Sequence, residues 1–262
     1  MHPKLIEIGG IPIYSYGLML GIAFLVASIL LRRELVRRKM DENLAINLTF
    51  IALIAGIAGS KLFYIIEEWN FGDIPLSSLL TTDVIFSPSG LTFYGGLIMS
   101  ILSVIIFCKV KKLSVLGIFD IMSPPAALAY GMARIGCHLS GDGDYGIPTN
   151  GTMWEFIGYD YSNGTVPTAP GVLAHPTSIY EFIIGLFIFL YLWNFAKHSR
   201  FDGDVFFRYL ILSGFSRLMI EIIRLNPDVI LGLSQAQIIS LCLIIIGSVM
   251  LFVKSAKIKP IT

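Results

Sequence analysis

The chain has 262 residues, of which 55% are hydrophobic and 14% charged, and its mean hydropathy is +0.76. That balance excludes an ordinary soluble enzyme. Nineteen basic against eighteen acidic residues leave a net charge of +1, so there is no basic excess and no nucleic acid is expected as a partner.

In chain order, apolar runs of about the 20 residues that a bilayer core demands fall at 14–31, 43–66, 91–108, 115–139, 178–197, 204–223 and 235–254. They predict an all-α integral membrane protein of seven transmembrane helices, a single polytopic domain over 1–262. No basic segment precedes the first run and no small-residue cleavage site follows it, so it reads as a span and not as a cleaved leader. Lysine and arginine concentrate in RRELVRRK (32–39), KVKK (109–112), AKHSR (196–200) and KSAKIK (254–259). These stretches occupy alternate loops and the C-terminus, and so mark the cytoplasmic side. The opposite side carries only Lys4 and Arg224, although it includes the two longest connections, 67–90 and 140–177. The N-terminus is therefore expected outside and the C-terminus cytoplasmic, with 140–177 as a periplasmic loop or small head between the fourth and fifth helices.

Lys61, Arg134, Arg208 and Arg217 fall within or at the edges of spans. Each basic side chain costs roughly 2.5 to 3.5 kcal/mol at a helix centre. Such groups face a polar cavity or pair with carboxylates, and Glu181 and Glu221 are available as partners.

The densest polar segment is ARIGCHLSGDGDYG (133–146), at the outward end of the fourth span. Arg134 and His138 are four apart and share a helical face, and Gly141, Gly143 and Gly146 let the chain turn sharply. A cation, an imidazole and two carboxylates are thereby gathered. Arginine suits a phosphate because its planar fork donates paired, charge-assisted hydrogen bonds. HPTSIYE (175–181) opens the fifth span: Pro176 and Ser178 fit a helix entry, Glu181 in the first turn favours the helix dipole, and Tyr180 sits beside it. In SRLMIEIIR (216–224), Arg217, Glu221 and Arg224 at i, i+4 and i+7 are expected to point the same way. Glu221 would orient its neighbours and leave one guanidinium for a ligand, or the three would form a structural ladder. Tyr16 and Tyr94 lie near the outward ends of their spans, as aromatic belts do. The pair Tyr-Gly recurs at 16–17, 94–95 and 130–131, and glycine there permits close helix approach.

Three scattered cysteines, Cys108, Cys137 and Cys242, form no CxxC and suggest neither a disulfide framework nor a zinc site. Phosphate-loop, nucleophile-elbow and HExxH patterns are missing from the sequence.

The order YGLM in the first span, GLTFYGGLI in the third, ARIGCHLSGDGDYG closing the fourth, HPTSIYE opening the fifth and SRLMIEIIR in the sixth resembles the prolipoprotein diacylglyceryl transferase family over nearly the whole chain. The resemblance implies a seven-span enzyme of the bacterial plasma (inner) membrane with its active site towards the periplasm. Its partners would be phosphatidylglycerol, membrane lipids and the lipobox of a prolipoprotein signal peptide. It would move a diacylglyceryl group onto the lipobox cysteine, form a thioether and release glycerol phosphate, with no metal or cofactor. By matched position, Tyr16, Gly136, Gly146, Arg134, Arg217, Glu221 and Arg224 correspond to residues of the family's site.

The family signature reads like GRIGNFxNGE. This chain places Ala133, Cys137, His138, Ser140 and Asp142 at the first glycine, the asparagine, the phenylalanine, the second asparagine and the glutamate, with one residue inserted before Gly146. Tyr94 stands at the family's histidine, and Ser213 at a tyrosine. A divergent transferase using another phospholipid or acceptor is thus a second reading, and a transporter or binding protein a third, which lacks the inverted repeats expected of it.

A free cysteine with a pKa near 8.5 is only slightly ionised at neutral pH, so the transfer needs a base or a positive field. Arg134 and Arg217 are assigned to the headgroup phosphate, with Glu221 orienting Arg217. His138 is the expected base, Asp142 the next candidate, and Tyr94 a hydrogen-bond donor to the leaving group. His175 and His198 come after these.

Overall fold

A computed structural model describes every residue except 9, 10, 73, 86, 88, 89, 231 and 258–262. Among the described residues, a long helix follows each apolar run: α1 (Ser15–Arg37), α2 (Asn43–Phe71), α3 (Phe93–Val110), α4 (Val115–Ser140), α5 (Thr177–Phe195), α6 (Asp204–Glu221) and α7 (Gln235–Ala256). Six of these are long and apolar enough to cross a membrane. The sixth helix, α6, differs because Asp204, Arg208, Arg217 and Glu221 interrupt its 18 residues. Lys259, part of the C-terminal basic stretch, lies outside the described residues.

Among the described residues, three short antiparallel strand pairs that the all-α expectation omits lie outside the helices. Strand β1 (Lys4–Ile8) pairs with β2 (Ile11–Tyr14), β3 (Tyr159–Asp160) with β4 (Leu173–Ala174), and β5 (Asp228–Ile230) with β6 (Leu233–Ser234). Strands of two to five residues are too short to show a period-two alternation in sequence.

The chain divides into two compact units, 32–118 and 1–31 with 119–262. In the 32–118 unit, α2 and α3 approach so closely that only small residues fit. A methyl group at Gly59 would overlap Met99 and the Gly95 carbonyl, and one at Gly96 would overlap Ser60 Oγ. Ser100 Oγ donates to the Ala52 carbonyl at 2.7 Å and Thr92 Oγ1 to the Ser60 carbonyl at 3.2 Å. Packing and cross-helix hydrogen bonds of this kind associate helices where lipid supplies no hydrophobic drive. Lys61 is met within the same unit, where Nζ donates to the Ser87 carbonyl at 3.1 Å.

In the other unit, α4 and α5 meet at Gly131 and Gly185, whose added methyl groups would press on the Phe182 and Ala127 carbonyls. Thus the close approach expected from Tyr-Gly is found at Gly95 and Gly131, whereas Gly17 meets nothing within 4 Å. Among the described residues, Ala127, Ile188, Leu192, Ala196 and Val205 form a buried apolar cluster. Buried Asp120 of α4 accepts from the Gly203 and Phe206 amides at 2.8 Å each and so fixes the start of α6. Arg208 pairs with Asp204 at 3.1 Å and lies over the Phe195 ring, 4.1 Å from its centroid. Its charge is thereby met structurally.

The 140–177 segment folds back on itself. Thr165 and Val166 amides donate to the Ser140 and Gly141 carbonyls at 2.9 and 2.8 Å, and Tyr161 is buried beneath them.

Candidate functional site

The end of α4, the start of α5 and the end of α6 converge on one carboxylate. Glu181, five residues into α5, exposes only 2% of its side chain. Arg217 Nη1 of α6 donates to its Oε1 at 2.8 Å, Arg134 Nε of α4 lies 3.2 Å from its Oε2, and Arg224 Nη1 lies 3.7 Å from the same oxygen. Tyr130, one turn before Arg134, donates its hydroxyl to Oε1 at 2.6 Å. Its ring also carries the Arg134 guanidinium, 4.9 Å from the centroid.

Two further carboxylates complete the cluster. Asp144 bridges Arg134 Nη1 and Arg224 Nη2. Its backbone carbonyl is pinned by Thr177 Oγ1 at 2.7 Å and Ser178 Oγ at 2.8 Å. Glu221 lies 3.2 Å from Arg217 Nη2 and accepts from Ser234 Oγ at 2.6 Å and Asn226 Nδ2 at 2.7 Å. Ser234 also caps α7 through a reciprocal box with Gln237. Three guanidiniums thus face three carboxylates, a neutral sum in surroundings where unpaired charge is costly. Arg224 Nη1 and Glu181 Oε2 are buried and held by these ionic contacts without a hydrogen bond.

The loop after α4 builds this arrangement through its glycines. Gly141 and Gly143 adopt φ of +61° and +93°, values that side-chain-bearing residues rarely take. Gly146 forms a bridge with Arg224, and a methyl there would lie 2.6 Å from the Ile223 carbonyl. Gly136 does the same for α4 against α1, since its added methyl would lie 3.1 Å from Tyr16 Cα. The two glycines matched to the family's site therefore serve close backbone approach.

The two loop aspartates differ. Burial works against the charge of Asp144, yet the Arg134 and Arg224 guanidiniums outweigh it and hold the carboxyl below its ordinary range. Asp142 is pushed up instead, chiefly by burial, which outweighs the lowering influence of the neighbouring Cys137 thiol; the nearby Asp144 charge adds to the rise.

The expected site residues are partly brought together. Arg134, Arg217, Glu181, Glu221 and Arg224 share the cluster, and Glu221 orients Arg217 as the spacing suggested. The i, i+4, i+7 ladder needs correction, because α6 ends at Glu221 and Arg224 reaches the cluster from the turn beyond it. Nor is Ser178 a helix cap: Pro176 holds that position without a side-chain bond, and Ser178 holds the Asp144 carbonyl. Glu181 lies beyond the first turn of α5, not within it as expected, and serves arginines from outside its own helix.

His138 departs from Arg134 despite the shared face. Its Nδ1 is hydrogen-bonded to Tyr161 Oη at 2.9 Å, and its ring meets Tyr159 and Tyr161 edge-on. Tyr180 Oη pairs with His175 Nδ1 at 3.2 Å. Tyr16 is exposed on α1, within electrostatic reach of Arg134, Cys137, Asp142 and Asp144. Tyr94 belongs to the 32–118 unit, where it packs edge-on to Phe93. Tyr130, Asn226 and Ser234 were not among the expected site residues, and Asp144 entered only as one of the two carboxylates of the 133–146 segment, without a role of its own. The recurring Tyr-Gly pair was a signal for Tyr130 that did not assign it to the site.

Among the described residues, Cys137, Asp142 and Asp144 place ligand-type atoms within 4.8 Å of one another. Asp144 is already neutralised by two guanidiniums, which leaves the trio short of the anionic donors a metal centre gathers.

The sequence model of prolipoprotein diacylglyceryl transferases matches residues 3–253. A phosphatidylglycerol–prolipoprotein diacylglyceryl transferase of Clostridium tetani is 35% identical over 251 residues, covering 94% of this chain and 95% of the relative. A second, from Clostridium perfringens, is 33% identical over 94% of this chain and 92% of its own. One from Leptospira interrogans is 29% identical over 89% and 86%.

Proposed function

The chain belongs to the prolipoprotein diacylglyceryl transferase family, and on that premise we propose that its arginine cluster binds the phosphodiester of phosphatidylglycerol during transfer to prolipoprotein. It is a multi-pass membrane transferase. The reaction moves the diacylglyceryl group to the lipobox cysteine thiol, forms a thioether and releases glycerol phosphate.

The convergence of Arg134, Arg217 and Arg224 on Glu181 carries this reading. Each guanidinium has five donors in a rigid fork, and the carboxylates hold the three forks towards one point. A phosphodiester entering there would give buried Arg224 Nη1 the hydrogen-bond acceptor that it lacks. As the bond to the leaving group breaks, negative charge grows on the phosphate oxygens. Fixed cations in a water-poor site stabilise that growing charge without reorganising. Arg217, exposed over 24% of its side chain, is the most accessible of the three, so it meets the headgroup first and Arg134 completes the grip.

The charge distribution supports seven spans with the N-terminus outside, the C-terminus cytoplasmic and 140–177 periplasmic. On this reading the cluster faces the periplasmic side of the plasma membrane. In that arrangement α6 crosses as a span whose charges are matched by Glu181, Glu221 and Asp204.

Transfer to a lipobox peptide from phosphatidylglycerol vesicles tests the assignment. Arg134→Ala and Arg217→Ala abolish transfer, while Arg200→Ala, on an exposed side chain paired loosely with Asp204 at 3.8 Å, leaves it intact. Equal activity in all three variants contradicts the proposal.

A further inference from the structure

Asp142 and Asp144 stand two residues apart and are used differently. The Asp144 carboxylate is held between two guanidiniums. Asp142 forms no ion pair among the described residues, and its carboxylate lies within 4.8 Å of the Cys137 sulfur. The same sulfur lies 3.8 Å from Arg134 Nη1. A sulfhydryl therefore already sits between a carboxylate and one of the arginines assigned to the phosphate. That is the arrangement an acceptor thiol needs when it attacks a glyceryl carbon whose leaving group Arg134 holds.

From this geometry, and resting on the phosphodiester reading above, we infer that Asp142 is the general base that deprotonates the acceptor cysteine. The acceptor S–H proton passes to an Asp142 carboxylate oxygen as the sulfur lone pair forms the S–C bond to the glyceryl carbon. The C–O bond to the phosphate breaks, and its electron pair stays on the oxygen of the departing glycerol phosphate, where Arg134 and Arg217 meet the new charge. The proton on Asp142 then leaves to water.

Two neighbouring carboxyls whose surroundings push their proton affinities apart divide acid–base work in this way. The groups within electrostatic reach of Asp142 are Arg134 and Cys137 of α4, Asp144 of the same loop, Tyr16 of α1 and Tyr161 of the insertion. Burial and the Asp144 charge make Asp142 a stronger base than an ordinary aspartate. His138, the base expected from spacing, is engaged by Tyr161 and faces tyrosines.

The test compares wild-type protein, Asp142→Asn, Asp142→Glu and Arg134→Ala in phosphatidylglycerol vesicles, with kcat/KM for a lipobox peptide followed from acid to neutral pH. Asp142→Asn loses about 10²- to 10⁴-fold and its residual rate no longer rises with pH along the acid limb. Asp142→Glu keeps part of the rate, with its acid limb displaced from that of the wild type. Wild-type rate and acid limb in Asp142→Asn overturn the inference, as does an unmoved limb in Asp142→Glu should the asparagine variant fail to fold. If Arg134→Ala is inactive in the same series, that failure touches the base alone; an active Arg134→Ala instead removes the phosphodiester reading.

Discussion

Arg217 and Glu181 are 36 positions apart and on different helices, yet Nη1 and Oε1 lie 2.8 Å apart. The same glutamate is approached by Arg134 and Arg224 and hydrogen-bonded by Tyr130. Removing its charge would leave three guanidiniums facing only Asp144 and Glu221. Breaking one side of a buried ion pair is expensive, so Glu181→Gln should lower unfolding stability by about 3 to 5 kcal/mol. Denaturant unfolding in detergent checks this, and a loss well under about 1 kcal/mol, the scale of an exposed pair, would show that the cluster is looser than described.

Tyr130 contributes through its hydroxyl and its ring. Tyr130→Phe keeps the ring under Arg134 and removes the bond to Glu181 Oε1, a hydrogen bond to a charged group worth about 1.5 to 3 kcal/mol. Tyr130→Leu should cost more, because the cation–π contact goes as well. Equal unfolding midpoints for the two variants would deny the ring its part.

The loop aspartates should affect stability with opposite signs. The folded-state pKa of Asp144 is depressed, so its contribution is present above the ordinary carboxylate value of about 3.9 and is lost as pH falls through the folded value. Asp142 has a raised folded-state pKa, so its ionisation costs stability as pH rises from the ordinary value through the folded one. At neutral pH, Asp144→Asn should therefore lower the thermal midpoint and Asp142→Asn should hold or raise it. Both differences shrink in strong acid, and equal effects of the same sign would contradict the distinction.

Gly146 tests how the loop positions Arg224. Its added methyl would lie 2.6 Å from the Ile223 backbone carbonyl, where no flexible side chain can yield. Gly146→Ala should shift Arg224 from Asp144 and slow transfer, chiefly through kcat if the phosphate is held less well in the transition state than in the ground state. An unchanged rate would mean that the bridge between Gly146 and Arg224 is dispensable.

The long helices were legible because a bilayer imposes their length, and α2 begins at Asn43 where the apolar run begins. The strand pairs were not, since strands of two to five residues leave no alternating pattern to read. In the site, Arg134, Arg217, Glu181 and Glu221 stood out as charges in apolar runs. Asp144 did not, because Gly141 and Gly143 turn the chain at positive φ, and which aspartate faces inwards follows from those turns. Tyr130 was within reach of the same i, i+4 rule that joined Arg134 to His138, applied one turn in the other direction. Extending the periodicity of α6 past Glu221 gave the right residue, Arg224, on the wrong local structure. The tie between His138 and Tyr161 crosses 23 positions, and no local spacing signals it.

The most direct test of the arginine site is a structure of the protein with phosphatidylglycerol bound. The phosphodiester should lie within hydrogen-bond distance of Arg134 and Arg217, with Glu221 still holding Arg217. A headgroup bound elsewhere, with all three guanidiniums still closed on Glu181, Asp144 and Glu221, would show that the cluster only holds the helices together.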